Sequence, residues 1–202
     1  PDRGADSRPL KEEEIWDGPP HASESGYAHA KRAMLAQLQA YQENQGLNFA
    51  YIISTNLYGP NDKYDVEQGH VLPSLIRKFY EAKRNNSEVV VWGDGSARRD
   101  FLYSKDMARA LVLIMNKYAG PINIASGIKR RIKDVAELLA DYIGMQGRIQ
   151  WDRQMPNGRE FCDLNLTKME SIGFEPQYTL ETGLKESIDW FIHHYEKQLI
   201  RC

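Results

Sequence analysis

The amino-acid sequence predicts an α/β fold. Short β-rich apolar runs alternate with segments of helical period along the whole chain. Gly46, Gly144 and Gly173 each stand just past such a helical segment, where a left-handed residue ends a helix. With 42% apolar and 27% charged residues in 202, the chain can build a sizeable core, and global disorder is excluded.

The elements follow in order. Residues 1–24 carry Pro1, Gly4, Pro9, Gly18, Pro19 and Pro20 around the run Glu12-Glu13-Glu14, and read as a loop with one short helical turn. Residues 25–45 read as a long helix capped by Ser23 or Ser25, with Ala28, Ala33, Met34, Leu35 and Leu38 at helical spacing. Residues 48–55 contain Phe49-Ala50-Tyr51-Ile52-Ile53 and read as a buried strand. The stretch from Asn56 to Asp62 has turn chemistry and reads as a loop. A helix is expected over 71–85, with Leu72, Leu75, Ile76 and Phe79 on one face. Short strands follow at 88–92 and 100–103, then a helix over 105–117 capped by Ser104. A strand at 121–125, a helix at 131–143, a strand at 148–151, a short helix at 167–172 and a last helix from Thr179 or Leu180 to about Gln198 complete the series.

Several function classes are excluded at this level. The net charge is −2, from 26 basic and 28 acidic side chains, which is unlike a general nucleic-acid or polybasic membrane binder. No apolar run approaches the ~18 residues of a membrane span, and the opening residues lack a signal-peptide pattern. Two cysteines, Cys162 and Cys202, make no disulfide framework, so a reducing cytoplasm is the expected compartment. The chain has no G-x-G-x-x-G, P-loop, H-E-x-x-H or C-x-x-C motif. His193 and His194 are adjacent on a helix and point about 100° apart, so they read as a solvated helix end and no metal site is expected.

The chemically informative pair is Tyr27 and Lys31, four residues apart on one helix face. A phenol serves as a general acid when a nearby cation stabilises its phenolate, and the ammonium supplies that charge. Of the 11 tyrosines, Tyr27 alone has Lys at this spacing. Taken alone, the spacing is equally that of a helix with an incidental Tyr and Lys.

The surrounding residues add to it. Ser25-Gly26-Tyr27-Ala28-His29-Ala30-Lys31 is followed by Asn56-Leu57-Tyr58-Gly59-Pro60, then Gly93-Asp94-Gly95 and Arg99-Asp100-Phe101-Leu102-Tyr103. This order and spacing resembles the extended short-chain dehydrogenase/reductase family of NAD(P)-dependent nucleotide-sugar epimerases and dehydratases. The stretches Thr55 to Asp62, Gly69 to Phe79 and Val89 to Gly93 are most similar to its GDP-L-fucose synthase branch, the 3,5-epimerase/4-reductases of GDP-4-keto-6-deoxy-mannose.

The resemblance implies a Rossmann-like, doubly wound NAD(P)-binding sheet, of which the chain holds the C-terminal part, plus a small α/β substrate-binding domain. Residues 1–56 would be the tail of the cofactor-binding domain and 57–202 mainly the substrate domain, with 104–126 returning to the cofactor sheet. Tyr27 would protonate the C4 oxygen as hydride arrives, and Lys31 would hold the nicotinamide ribose and tune Tyr27. Ser54, Asn56 and Leu57 would approach the cofactor, Asn56 the substrate as well. His70 falls where the family has its acid for the C3 and C5 epimerisations, and an imidazole suits proton transfer beside a ketone. Lys78 and Arg99 would grip the nucleotide diphosphate, with Trp92 and Arg159 also on the substrate.

The implied cofactor is NADP, with NAD the alternative, and the implied partners are a GDP-sugar and a second copy of the chain. A homodimer also fits a helix at 25–45 with Met34, Leu35, Leu38 and Tyr41 on more than one face. The family's glycine-rich βαβ unit, its catalytic Ser or Thr, and the Cys partnering its histidine would precede Pro1, so the chain is expected to be a C-terminal portion that lacks turnover by itself. Two other readings stay open: another NAD(P)-dependent nucleotide-sugar epimerase, dehydratase or 4-reductase, and a non-catalytic nucleotide-sugar-binding module.

Overall fold

A computed structural model of the chain describes residues 8–155, 157 and 163–200. In chain order its helices are α1 (Ser25–Gln45), α2 (Val71–Arg84), α3 (Ser104–Lys117), α4 (Ile132–Ile143), α5 (Thr167–Ser171) and α6 (Leu180–Tyr195). Its strands are β1 (Ala50–Ser54), β2 (Asn56–Tyr58), β3 (Val89–Trp92), β4 (Arg98–Tyr103), β5 (Gly120–Ile124), β6 (Lys129–Arg131) and β7 (Ile149–Asp152). The chain divides into two compact units. Among the described residues no helix is long and apolar enough to cross a membrane.

The first unit comprises Pro1–Ser54, Ala108–Ala125 and Cys162–Glu175. Its strands β1 and β5 pair in parallel, from Ala50 opposite Gly120 to Ser54 opposite Ile124. Leu35 from α1 packs with Phe49 and Tyr51. The N-terminal segment is fastened by a backbone bridge from Leu10 to Leu164, by Ile15 packed on that cluster, and by buried polar side chains. Glu12, 2% exposed, accepts from the Asn123 amide at 2.9 Å and pairs with Lys168 at 3.4 Å. Asn123 Nδ2 in turn donates to the carbonyls of Leu10 and Asn165. A buried carboxylate is tolerable only with such partners.

The second unit comprises Thr55–Met107, Ser126–Phe161 and Pro176–Cys202. Strand β4 pairs in parallel with β2 and antiparallel with β6, while β3 pairs in parallel with β7. Helices α2, α4 and α6 pack against one another. Phe79, Leu139 and Phe191 are fully buried in that core, Phe79 on the α2 face that the helical period selects. An aromatic stack adds specific geometry: the Tyr64 ring lies 4.7 Å from Phe191 and 5.8 Å from Trp190. His194 stacks on Trp190 with centroids 4.0 Å apart, and its Nδ1 contacts the Trp190 carbonyl at 2.7 Å.

Two local expectations are corrected, and one strand was not foreseen. Neither Ser23 nor Ser25 caps α1: Ser23 lies in a 3-10 turn over Ala22–Glu24 that winds straight into the helix, and Glu24 occupies the cap position. The stretch Asn56–Tyr58, read as a loop for its turn residues, pairs with Phe101–Tyr103 as β2. Strand β6 had no apolar signal, because Lys129, Arg130 and Arg131 are all charged; it forms through its ladder to β4.

Gly183 shows how closely this unit is packed. A Cβ there would collide with the Tyr58 hydroxyl and the Tyr103 ring. Gly183→Ala therefore overpacks the α6 contact and is expected to cost about 1–3 kcal/mol despite alanine's better helix propensity. A lower urea midpoint at unchanged slope is the reading that checks it.

Candidate functional site

In the first unit, Tyr27 and Lys31 stand on the opening turns of α1. Tyr27 is 67% exposed, and the Lys31 ammonium lies 5.6 Å from its ring centroid. The cation thus lies within cation–π range of the ring. Ser54 closes β1, exposed at the carboxyl end of a parallel strand. Ligands of open α/β sheets bind outside such ends. A phenol, an ammonium and a strand-end backbone amide are donors of the kind that the ribose and amide of a nicotinamide nucleotide accept from.

In the second unit, one pocket of about 270 Å³ gathers residues from four elements. Helix α2 lends Val71, Ser74, Leu75 and Lys78, which its period places on one face. Strand β3 adds Val91 and Trp92, β4 adds Arg99, and α4 adds Ile132. The Lys78 ammonium lies 5.3 Å from the Trp92 ring, itself 55% exposed. Burial pulls the Lys78 ammonium below the ordinary lysine value. Two cations beside an exposed indole suit a diphosphate joined to a planar base.

His70 does not line that pocket, but its chain neighbours Gly69 and Val71 do. It is exposed and takes the N-cap position of α2, where its carbonyl accepts from the Ser74 amide at 3.0 Å. Its imidazole makes no capping bond. Asn56 donates through Nδ2 to the Asp100 carbonyl at 3.2 Å, and Leu57 beside it is 37% exposed. Arg159 lies outside the described residues.

Asp100 holds this site from within. It is 4% exposed, and its carboxylate accepts from Thr55 Oγ1 at 3.2 Å and from the amides of Ser126 at 3.0 Å and Gly127 at 2.8 Å. Burial pushes its carboxyl up, against the pull of those donors. One residue therefore ties the start of β2 and the turn at 126–127 to β4, next to Arg99.

Sequence reasoning missed Asn157. Its Oδ1 accepts from the Asp94 amide at 2.7 Å, and it borders both the Lys78 pocket and a neighbouring one lined by Arg131, Lys133 and Arg153. Gly93 makes room for it: a Cβ on Gly93, at φ +81°, would strike Asn157. The turn signal Pro156-Asn157-Gly158 was legible, but no local rule ties a turn asparagine to a glycine loop some sixty residues away. Among the described residues no group of three or more His, Cys, Asp or Glu could hold a metal ion.

The chain is similar to known proteins along almost its full length. It is 38% identical over 190 residues to "Probable GDP-L-fucose synthase 1" of Oryza sativa subsp. japonica, covering 93% of this chain and 58% of that protein. To the GDP-L-fucose synthase of Escherichia coli (strain K12) it is 31% identical, covering 94% and 63%. Among solved structures, a GDP-L-fucose synthetase from Naegleria fowleri bound to NADP superposes with a TM-score of 0.87 at 36% identity, covering 93% of this chain and 62% of that one. The chain thus spans about three-fifths of the length of these relatives. The family described as NAD dependent epimerase/dehydratase matches residues 3–125, more than half of the chain and the part that holds the Tyr27–Lys31 pair, and to that family the chain belongs.

Proposed function

We propose that the protein carrying this chain is an NADP-dependent GDP-4-keto-6-deoxy-mannose 3,5-epimerase/4-reductase. The observation that carries the reading is the pocket in which Lys78, Trp92 and Arg99 converge beside His70. It is supported by the Tyr27–Lys31 pair of the first unit and by the names of the relatives. The NADP in the Naegleria structure favours NADP over NAD. In this reading residues 1–56 serve the cofactor, 57–202 mainly the substrate, and 104–126 return to the cofactor sheet. The protein acts in the cytoplasm as a homodimer. Met34 and Tyr41 of α1, each more than 40% exposed, are apolar surface that a partner copy would cover. Light scattering that gives a monomer at micromolar concentration would remove the dimer from the proposal.

The chemistry then divides among the residues. Lys78 and Arg99 hold the diphosphate, and Trp92 lies against the nucleotide. His70 delivers a proton at C3 and C5 of the keto sugar. Tyr27 gives its phenol proton to the C4 oxygen, and Lys31 stabilises the phenolate left behind. NADPH, when bound beside Tyr27, Lys31, Ser54, Asn56 and Leu57, supplies the hydride.

The test is turnover by the protein that carries this chain. NADPH oxidation with the GDP-keto sugar, and a product epimerised at C3 and C5, is the expected outcome. Oxidation without epimerisation would mean a simple 4-reductase, and nucleotide-sugar binding without oxidation would mean a binding module.

The diphosphate grip makes a separate prediction. Because burial lowers the Lys78 ammonium, it loses its proton at a lower pH than an exposed lysine. GDP affinity is expected to weaken as pH rises through that lowered range. Lys78→Arg should flatten the profile, since a guanidinium keeps its charge throughout. Calorimetric titration across the alkaline range reads it, and a profile unchanged by the arginine would place Lys78 off the diphosphate.

A further inference from the structure

Helix α1 has 21 residues, yet Leu35 is its one buried residue. Within this unit a hydrogen bond from the neighbouring strand also restrains it. That restraint comes from Tyr51, the second residue of β1. Its ring is 6% exposed and packs with Leu35 and Phe49, and its hydroxyl donates to the Lys31 carbonyl at 2.9 Å. The Lys31 carbonyl lies in the helix interior, so the Tyr51 hydroxyl adds a second donor to one already used within α1.

We propose that Tyr51 is a positioning residue: its hydroxyl bonds the turn of α1 that carries Tyr27 and Lys31 to strand β1, three residues before Ser54. The inference rests on the functional reading above and deepens it. Lys31 and Ser54 come from different elements, and both would meet the nicotinamide half of the cofactor. With the Lys31 backbone tied to β1, the offset between them is set by roughly 10 Å of extended strand.

Tyr51 is not itself suited to be the acid. Burial, and then Tyr27, push its phenol above the ordinary tyrosine value. Its proton is already committed to a carbonyl. Tyr27, by contrast, is 67% exposed, with the Lys31 ammonium 5.6 Å from its ring centroid. Two tyrosines thus take two roles, one reacting and one holding the first in place.

The test is Tyr51→Phe in the protein that carries this chain, which removes one oxygen and keeps the ring. Amide exchange at 31–35 is expected to quicken about 5-fold, the effect of one lost hydrogen bond. The amides of Ile122 and Ile124 in β5 should keep their protection. Hydride transfer should fall about 10-fold through misalignment, and the isotope effect on kcat with deuterated nicotinamide should rise as transfer becomes limiting. A smaller folded fraction would leave that isotope effect unchanged. Unchanged exchange at 31–35 would overturn the anchor. Loss of β5 protection together with α1 would make Tyr51 an ordinary packing residue and overturn it equally. If Tyr27→Phe keeps its rate, the functional reading fails, whereas the exchange data still judge Tyr51.

Discussion

Tyr27→Phe is expected to slow hydride transfer by about 10²-fold or more, the usual scale for losing a general acid. The fold should not change. Tyr27 is 67% exposed and near the start of α1, so removing its hydroxyl opens no cavity, and a surface change of this kind stays within about ±0.5 kcal/mol. Substrate affinity should also hold, because Lys78, Trp92 and Arg99 lie in the second unit. The loss therefore falls on kcat and kcat/KM alike, the pattern of an interaction made in the transition state. The other phenols of the first unit are not placed to take over: Tyr51 is buried and bonded to the Lys31 carbonyl, Tyr118 donates to the Pro121 carbonyl at 3.0 Å, and Tyr41 stands about 21 Å farther along α1. Single-turnover absorbance of NADPH with the keto sugar measures the step directly. A variant that reduces at the native rate would take Tyr27 out of the mechanism.

Much of the fold was legible because most elements carry their own signal. Helix α1 ends at Gly46, in left-handed geometry at φ +69°, where the sequence put its stop. Helix α2 buries Leu72, Leu75, Ile76 and Phe79, the four residues that its periodicity selected. What failed was structure made by partners at a distance. Strand β2 is three residues long and exists because Phe101–Tyr103 offer it a ladder; its own residues are those of a turn. Strand β6 is wholly basic and pairs Arg130 against Arg99, an arrangement that local propensity argues against.

The site divides the same way. The Tyr27–Lys31 spacing is a local feature, and one helix brings the two side chains together. The convergence of Lys78, Trp92 and Arg99 came from resemblance, and no spacing rule would have supplied it, since α2, β3 and β4 meet only through tertiary packing. The roles of Asp100, Asn157 and Tyr51 were not legible at all. Each acts through a bond to backbone remote in sequence: Asp100 to Ser126 and Gly127, Asn157 to Asp94, Tyr51 to Lys31. A backbone amide or carbonyl has no sequence signature, so such bonds appear only once the chain is folded.

His70→Asn separates the two halves of the chemistry. The imidazole makes no capping bond at the start of α2, and Asn is among the best N-cap residues, so the variant should fold as well as the parent or slightly better. If His70 handles the protons at C3 and C5, its loss removes a general acid and should slow solvent deuterium exchange at both carbons by about 10²–10⁴-fold. In the proposed mechanism hydride delivery to C4 relies on Tyr27 and Lys31, which the change leaves untouched. The variant should therefore still reduce the unepimerised ketone and yield a product with the substrate's configuration at C3 and C5. Mass spectrometry of the keto sugar after incubation in deuterium oxide without NADPH reads the exchange, and NMR of the reduced product reads the configuration. A variant that loses reduction and exchange together would make His70 a binding residue for the whole sugar. Exchange at the native rate would mean that the proton at C3 and C5 comes from a group other than His70.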